Sequence, residues 1–160
     1  MSNNQSGKKK KFTYNLETIL KVREIYKKQQ EEKFSLAQTK LQEERRKEKE
    51  IKSFQQKKYN ELRESIDGGA TLNFSDLLLR KTHLEKLAAD VKEQEKIRQK
   101  AAKRKERERR TLVEKMKDQK VMEKDKHNKL LKWQKNVRKE ETKFLDDLSS
   151  GQFNARKSND

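Results

Sequence analysis

The chain has no cysteine, no proline and only four glycines among its 160 residues. Without cysteine there is no disulfide framework, no thiolate nucleophile and no cysteine-based zinc site. That absence suits a reducing compartment. Glycine occurs only as Gly7, Gly68, Gly69 and Gly151, so two long stretches run without any helix breaker. Aromatic residues make up 6% and hydrophobic residues 29%, which excludes a thick globular core. No apolar run approaches the length that crosses a membrane. The basic start, residues 1–11, is not followed by the apolar segment of a signal peptide. These features place the protein in the cytoplasm.

What the chain has is charge. Charged residues form 44% of it and the net charge is +17. Low hydrophobicity with high net charge approaches the composition of disordered chains, but the apolar spacing argues against complete disorder. A coiled coil needs only a narrow apolar seam, about two positions in seven. The pattern predicts an all-α fold: a long two-helix antiparallel coiled-coil hairpin with unequal arms.

Residues 1–11 read as a basic disordered tail and 12–148 as the coiled coil. Arm one covers 15–66, the turn 67–74 and arm two 75–148, with a second disordered tail over 149–160. Asn15 is placed to cap arm one, with Glu17 favourable in the first turn. Leu16, Ile19, Leu20, Phe34, Ala37, Leu41, Ile51, Phe54, Leu62 and Ile66 supply its apolar positions. Glu44, Glu48, Gln55 and Lys58 fill seam positions between them, which predicts looser packing around residues 42–50. Gly68 and Gly69 stand where a left-handed terminator belongs. Asn73 can cap arm two, with Asp76 in the acidic position of a capping box and Leu72 and Leu77 placed as a hydrophobic staple. Its seam runs through Leu77, Leu84, Leu87, Val91, Ala101 and Leu112, then shifts to Met116, Met122, Leu130, Trp133, Val137, Phe144 and Leu148. Ser149, Ser150 and Gly151 are expected to end it.

At 1.5 Å per residue the arms would span about 78 Å and about 110 Å. Folding back at the glycines brings Leu16 opposite His127. Trp133, Val137, Phe144 and Leu148 then overhang without a partner in the chain. Such a face suits a partner protein; a frayed end or self-association are the alternatives.

Enzymatic chemistry finds no support. His83 and His127 are far apart in the sequence and lack carboxylates at ligand spacing. There is no phosphate loop, dinucleotide fingerprint or nucleophile motif. Glu140, Glu141, Asp146 and Asp147 read as helix-surface ion-pair partners, not an acid/base pair. No catalytic residue, cofactor or metal is expected. Residues 100–110 hold seven Lys or Arg against Glu106 and Glu108, a balance that could neutralise phosphates. No aromatic platforms are interleaved there and no nucleic-acid-binding motif appears. A basic coiled coil that binds nucleic acid or ribosomes is the alternative function, and a purely self-associating coiled coil a third.

Several residues go beyond a generic coiled coil. Near the start stand Phe12, Tyr14, Leu16, Glu17, Leu20, Arg23 and Glu24 in a Phe-x-Tyr-x-Leu-Glu-x-x-Leu-x-x-Arg pattern. Tyr59 and Leu62 precede the Gly68-Gly69 break. Met122, Lys124, Lys126 and Trp133 lead to Lys139, Glu140, Lys143, Asp146 and Asp147, followed by Arg156 and Lys157. Over nearly its whole length the chain resembles the flagellar FliJ family, with the type III secretion stalk proteins behind it. The resemblance implies an antiparallel coiled coil shaped like the stalk of a rotary ATPase. It implies a non-enzymatic role in flagellar protein export: binding and stimulating the hexameric export ATPase, contacting the cytoplasmic domain of the export gate, and chaperone-like functions with export chaperones as possible partners. No small-molecule substrate or specific nucleic acid is implied. The protein would be cytoplasmic and peripherally associated with the membrane through the export apparatus. On this resemblance Leu16, Glu17, Leu20, Arg23, Trp133, Lys139, Lys143 and Asp147 would meet the ATPase. Exposed residues around Gln55, Tyr59, Leu87 and Gln94 would meet the gate, although Tyr59 and Leu87 also fit the seam.

Overall fold

The computed structural model describes residues 11–69 and 73–157, and the side chains of these up to Gly151. The first ten residues, Leu72 of the expected staple, residues 158–160 and the side chains of Arg156 and Lys157 lie outside the described residues. Two long helices pack against each other as an all-α helical hairpin: α1, Glu17–Asp67, and α2, Phe74–Lys157. There is no strand among the described residues.

The helix ends follow local chemistry. α1 opens with Glu17 in its first turn, where the amide dipoles favour a carboxylate. It closes where Gly68 N–H donates to the Glu64 carbonyl and Gly69 N–H to the Ile66 carbonyl. Gly69 has φ +68°, a conformation that a β-carbon disfavours. At the start of α2 the Asn73 side chain accepts from Ser75 N–H at 3.4 Å, and its carbonyl accepts from Asp76 and Leu77. α2 does not end at Ser149-Ser150-Gly151; it continues through them to Lys157. A single exposed glycine costs a helix about 1 kcal/mol, too little to terminate it when no proline follows.

The chain divides into two compact units, Met1–Tyr26 with Met116–Asp160, and Lys27–Lys115. In the unit Lys27–Lys115 the inward residues of α1 are Lys27, Gln30, Phe34, Ala37, Leu41, Glu44, Glu48, Ile51, Gln55, Lys58, Leu62 and Ser65. They keep the alternating three-four step of a coiled-coil seam throughout. α2 answers with Leu84, Leu87, Val91, Gln94, Arg98, Ala101, Lys105, Glu108 and Leu112 in the same step. This frame corrects several expected seam residues. Phe54, Ile66 and Leu77 are exposed, because Gln55 and Ser65 hold the inward positions beside Phe54 and Ile66. The packing near residues 42–50 is not loose: Glu44 is 3% exposed, closed over by Gln94.

In the other unit Tyr14, Leu20 and Met122 form a buried cluster, with Phe12 and Leu16 packed against it. Ile19 and Met116 face outward, one position off the inward stripe. No helix is long and apolar enough to cross a membrane among the described residues.

Candidate partner-binding surfaces

The residues expected at the terminal surface fall into three groups. Leu20 is buried and Leu16 half-buried in the cluster with Tyr14, so their side chains hold the helices together. Glu17 and Arg23 bridge the helices instead: Lys126 Nζ lies 2.7 Å from the Glu17 carboxylate, and Arg23 lies 3.3 Å from Asp118. Lys139, Lys143 and Asp147 stand exposed on α2.

Sequence reasoning missed Tyr14 as the anchor of this region. It is 4% exposed, and its hydroxyl donates to the Asp125 carboxylate at 2.8 Å. Burial, then the bond to Asp125, pushes the phenol above its usual pKa. The bond from Lys129, then that from Tyr14, holds Asp125 below the usual carboxylate range. The Lys129 ammonium also sits 5.2 Å from the Tyr14 ring centre. The signal was present in the opening motif, but a tyrosine ahead of the helix has no periodicity to mark it as core.

The expected overhang begins later than predicted. Trp133 has a partner within the chain: its ring centre lies 5.9 Å from that of Phe12, tilted by 55°. Phe12 precedes α1, so a count of paired helical residues omitted it. Val137 is also half-buried. Beyond it Phe144, Leu145 and Leu148 are exposed, at 64%, 63% and 47%. They share the last turns of α2 with Lys139 and Lys143.

The expected gate surface divides differently. Tyr59 is exposed. Leu87 and Gln94 are not: both are buried in the seam, and Gln94 Nε2 donates to the Glu44 carboxylate at 2.6 Å. Gln55 is a half-buried seam residue. Leu87 stood in the expected seam, and Gln94 lies on the same three-four frame, which its polar neighbours concealed. Leu36 and Ile97 are exposed farther from the turn, while several other exposed apolar residues of this unit, Phe54, Ile66, Phe74, Leu78 and Leu79, lie nearer it. There the His83 ring meets Phe54 edge-on at 6.3 Å. Lys58, Glu61, Leu79, Arg80, His83 and Leu84 line a shallow cleft beside it. His83 is exposed, but it sits against a phenylalanine.

The basic run is partly self-compensated. Glu106 accepts two bonds from Arg109 and one from Arg110, which hold its pKa at about 2. Glu108 accepts from Gln30. Lys100, Lys103, Arg104 and Arg107 remain exposed without an ion pair among the described residues. No group of three or more His, Asp or Glu could hold a metal ion among the described residues.

No curated protein and no solved structure matches the chain. A family model does, described as the flagellar FliJ protein, over residues 12–158. That span takes in the aromatic anchor before α1, both helices and the exposed end of α2, and the chain belongs to the flagellar FliJ family, a component of flagellar protein export.

Proposed function

We propose that the chain binds and stimulates the hexameric flagellar export ATPase as a central-stalk-like coiled coil. The observation that carries this reading is the end of α2. Past Val137 the helix presents Phe144, Leu145 and Leu148 to solvent beside Lys139, Lys143 and Asp147. An apolar strip flanked by charges of both signs suits a protein surface, and the chain's net charge of +17 speeds encounter with an acidic partner at low salt. A narrow helix pair can touch the subunits of a ring unequally and so bias their states. Contact with the cytoplasmic domain of the export gate falls to Tyr59 and the exposed apolar residues near the turn. Chaperone-like roles and peripheral association with the cytoplasmic face of the membrane follow from the same assembly.

The test is the ATP hydrolysis rate of the cognate export ATPase, titrated with this protein at physiological salt. Stimulation that saturates near one chain per ATPase hexamer supports the stalk role. An active ATPase that does not respond refutes it. The unpaired Lys100, Lys103, Arg104 and Arg107 favour one other reading, nucleic-acid binding. That reading requires copurifying absorbance near 260 nm which is lost as salt rises.

A further inference from the structure

One pattern occurs twice in the seam of the unit Lys27–Lys115. Glutamine, alanine and glutamate occupy successive heptad positions as Gln30, Ala37 and Glu44 on α1. They recur as Gln94, Ala101 and Glu108 on α2, each displaced by the same offset along the chain. Because the helices are antiparallel, the glutamine of each meets the glutamate of the other. Gln30 Nε2 donates to the Glu108 carboxylate at 2.6 Å and to the Glu108 carbonyl at 3.1 Å. Gln94 Nε2 donates to the Glu44 carboxylate at 2.6 Å and to the Glu44 carbonyl at 3.2 Å. Both hydrogens of each amide are used. The two sets are one bonding pattern seen from opposite helices, related by a pseudo-twofold axis between Ala37 and Ala101.

We propose that this duplicated Gln–Ala–Glu pattern is a register clamp: it selects the alignment of α1 against α2 rather than supplying the stability of the unit. The need for one follows from the seam. A three-four repeat kept without interruption on both helices offers the same inward stripe after a slip of seven residues. The apolar residues alone discriminate weakly, since Lys, Arg, Glu and Gln hold ten of the twenty-one inward positions. The hydrogen bonds discriminate strongly. A slip by one heptad sets Gln94 opposite Ile51 in one direction and Ala37 in the other. Buried amides and carboxylates then lose their partners, and an unmade buried bond costs more than a made one contributes. Polar groups at seam positions are known to fix register at some cost in stability. Glu44 is further held by Lys40 at 2.9 Å and Lys47 at 3.1 Å, so the acceptor is presented in one place. A slip would move one helix against the other by about 10 Å. The clamp does not depend on the stalk reading.

The absence of cysteine makes the test direct. Thr39→Cys and Lys103→Cys place two spin labels on exposed positions of the full chain, one on each helix. Pulsed electron resonance then reads the distance between them, at a concentration where the chain is monomeric. The clamp predicts one distance in the parent. It predicts two or more populations when Gln30→Leu, Glu44→Leu, Gln94→Leu and Glu108→Leu are combined, with helicity and melting temperature no lower than the parent's. The reciprocal exchange Glu44→Gln with Gln94→Glu gives the second pair the same sense as the first, and is expected to keep one distance. A four-leucine variant that keeps the parent's single distance overturns the proposal. So does a loss of helicity in which the folded fraction keeps that distance, because the pairs would then be merely stabilising.

Discussion

In the unit Met1–Tyr26 with Met116–Asp160, the helices close around Tyr14, Leu20 and Met122, with Phe12 tilted against Trp133. In the unit Lys27–Lys115, the most buried residue is a carboxylate, Glu44, and its seam partner is an amide. The first arrangement depends on side-chain volume. The second adds to its buried Leu41, Leu84 and Leu87 a dependence on the orientation of hydrogen-bonding groups. A cluster filled by aromatic and aliphatic groups tolerates small rearrangements and gains from area removed from water. A polar seam gains little from area but discriminates between alignments. One unit is therefore anchored by its aromatic cluster and the other aligned by its hydrogen bonds.

The largest effect should come from emptying the apolar cluster. Leu20→Ala is expected to destabilise its unit by about 2–4 kcal/mol, read from denaturant melts followed by the emission of Trp133, the chain's sole tryptophan. A loss under about 1 kcal/mol would mean that the cluster is not the anchor of that end.

Trp133→Ala should come next, at about 1–2 kcal/mol, because the ring contact with Phe12 and a half-buried surface are both lost. Phe12→Ala should shift the Trp133 emission to the red. Unchanged emission would mean that Phe12 does not cover the indole in solution. Stimulation of the ATPase should fall in Trp133→Ala in excess of any loss of helicity. A fall in strict proportion would assign Trp133 to packing alone.

The polar seam predicts a dependence on pH. Bonds from Gln94, then Lys40 and Lys47, hold Glu44 at a pKa of about 2, below the ordinary 4.5. A carboxylate with a depressed folded pKa contributes stability that is fully present above its unfolded pKa, and this is lost as pH falls through the folded value. The melting temperature of the parent should therefore approach that of Glu44→Gln as pH drops from about 5 to about 2.5. Other lowered carboxylates, among them Glu48, Glu61 and Glu106, titrate in both proteins, so the difference between the two isolates Glu44. A difference that does not change with pH would place Glu44 outside the seam.

The smallest effect on folding is expected at the exposed end of α2. Lys139→Ala and Lys143→Ala should change stability by less than about 0.5 kcal/mol. The proposed function requires them to weaken ATPase stimulation and reduce its sensitivity to salt. Unaltered stimulation would remove these lysines from the contact surface.

Much of the fold was legible in the residues. The glycine pair at 68 and 69 located the turn, and Asn73 the start of α2. The opening and closing motifs indicated the family. The seam was legible only where it was apolar. Between Leu20 and Phe34 the inward positions are Arg23, Lys27 and Gln30, which look like surface residues when read one at a time. The same ambiguity hid Gln94 among surface residues and made Phe54 and Ile66 look buried. The candidate surfaces were less legible. Exposure depends on helix phase, and an error of one residue turns a side chain through about 100°.

The sequence by itself determined two long helices, their reversal at Gly68-Gly69 and a strongly basic surface, because helix propensity, chain breakers and charge are properties of residues and their near neighbours. Only the tertiary structure decided that Tyr14 is an anchor, that Phe12 covers Trp133, and that Gln30 and Gln94 answer Glu108 and Glu44. Those roles join residues far apart in the chain. A polar side chain becomes part of a core only when a partner from the other helix satisfies its hydrogen bonds.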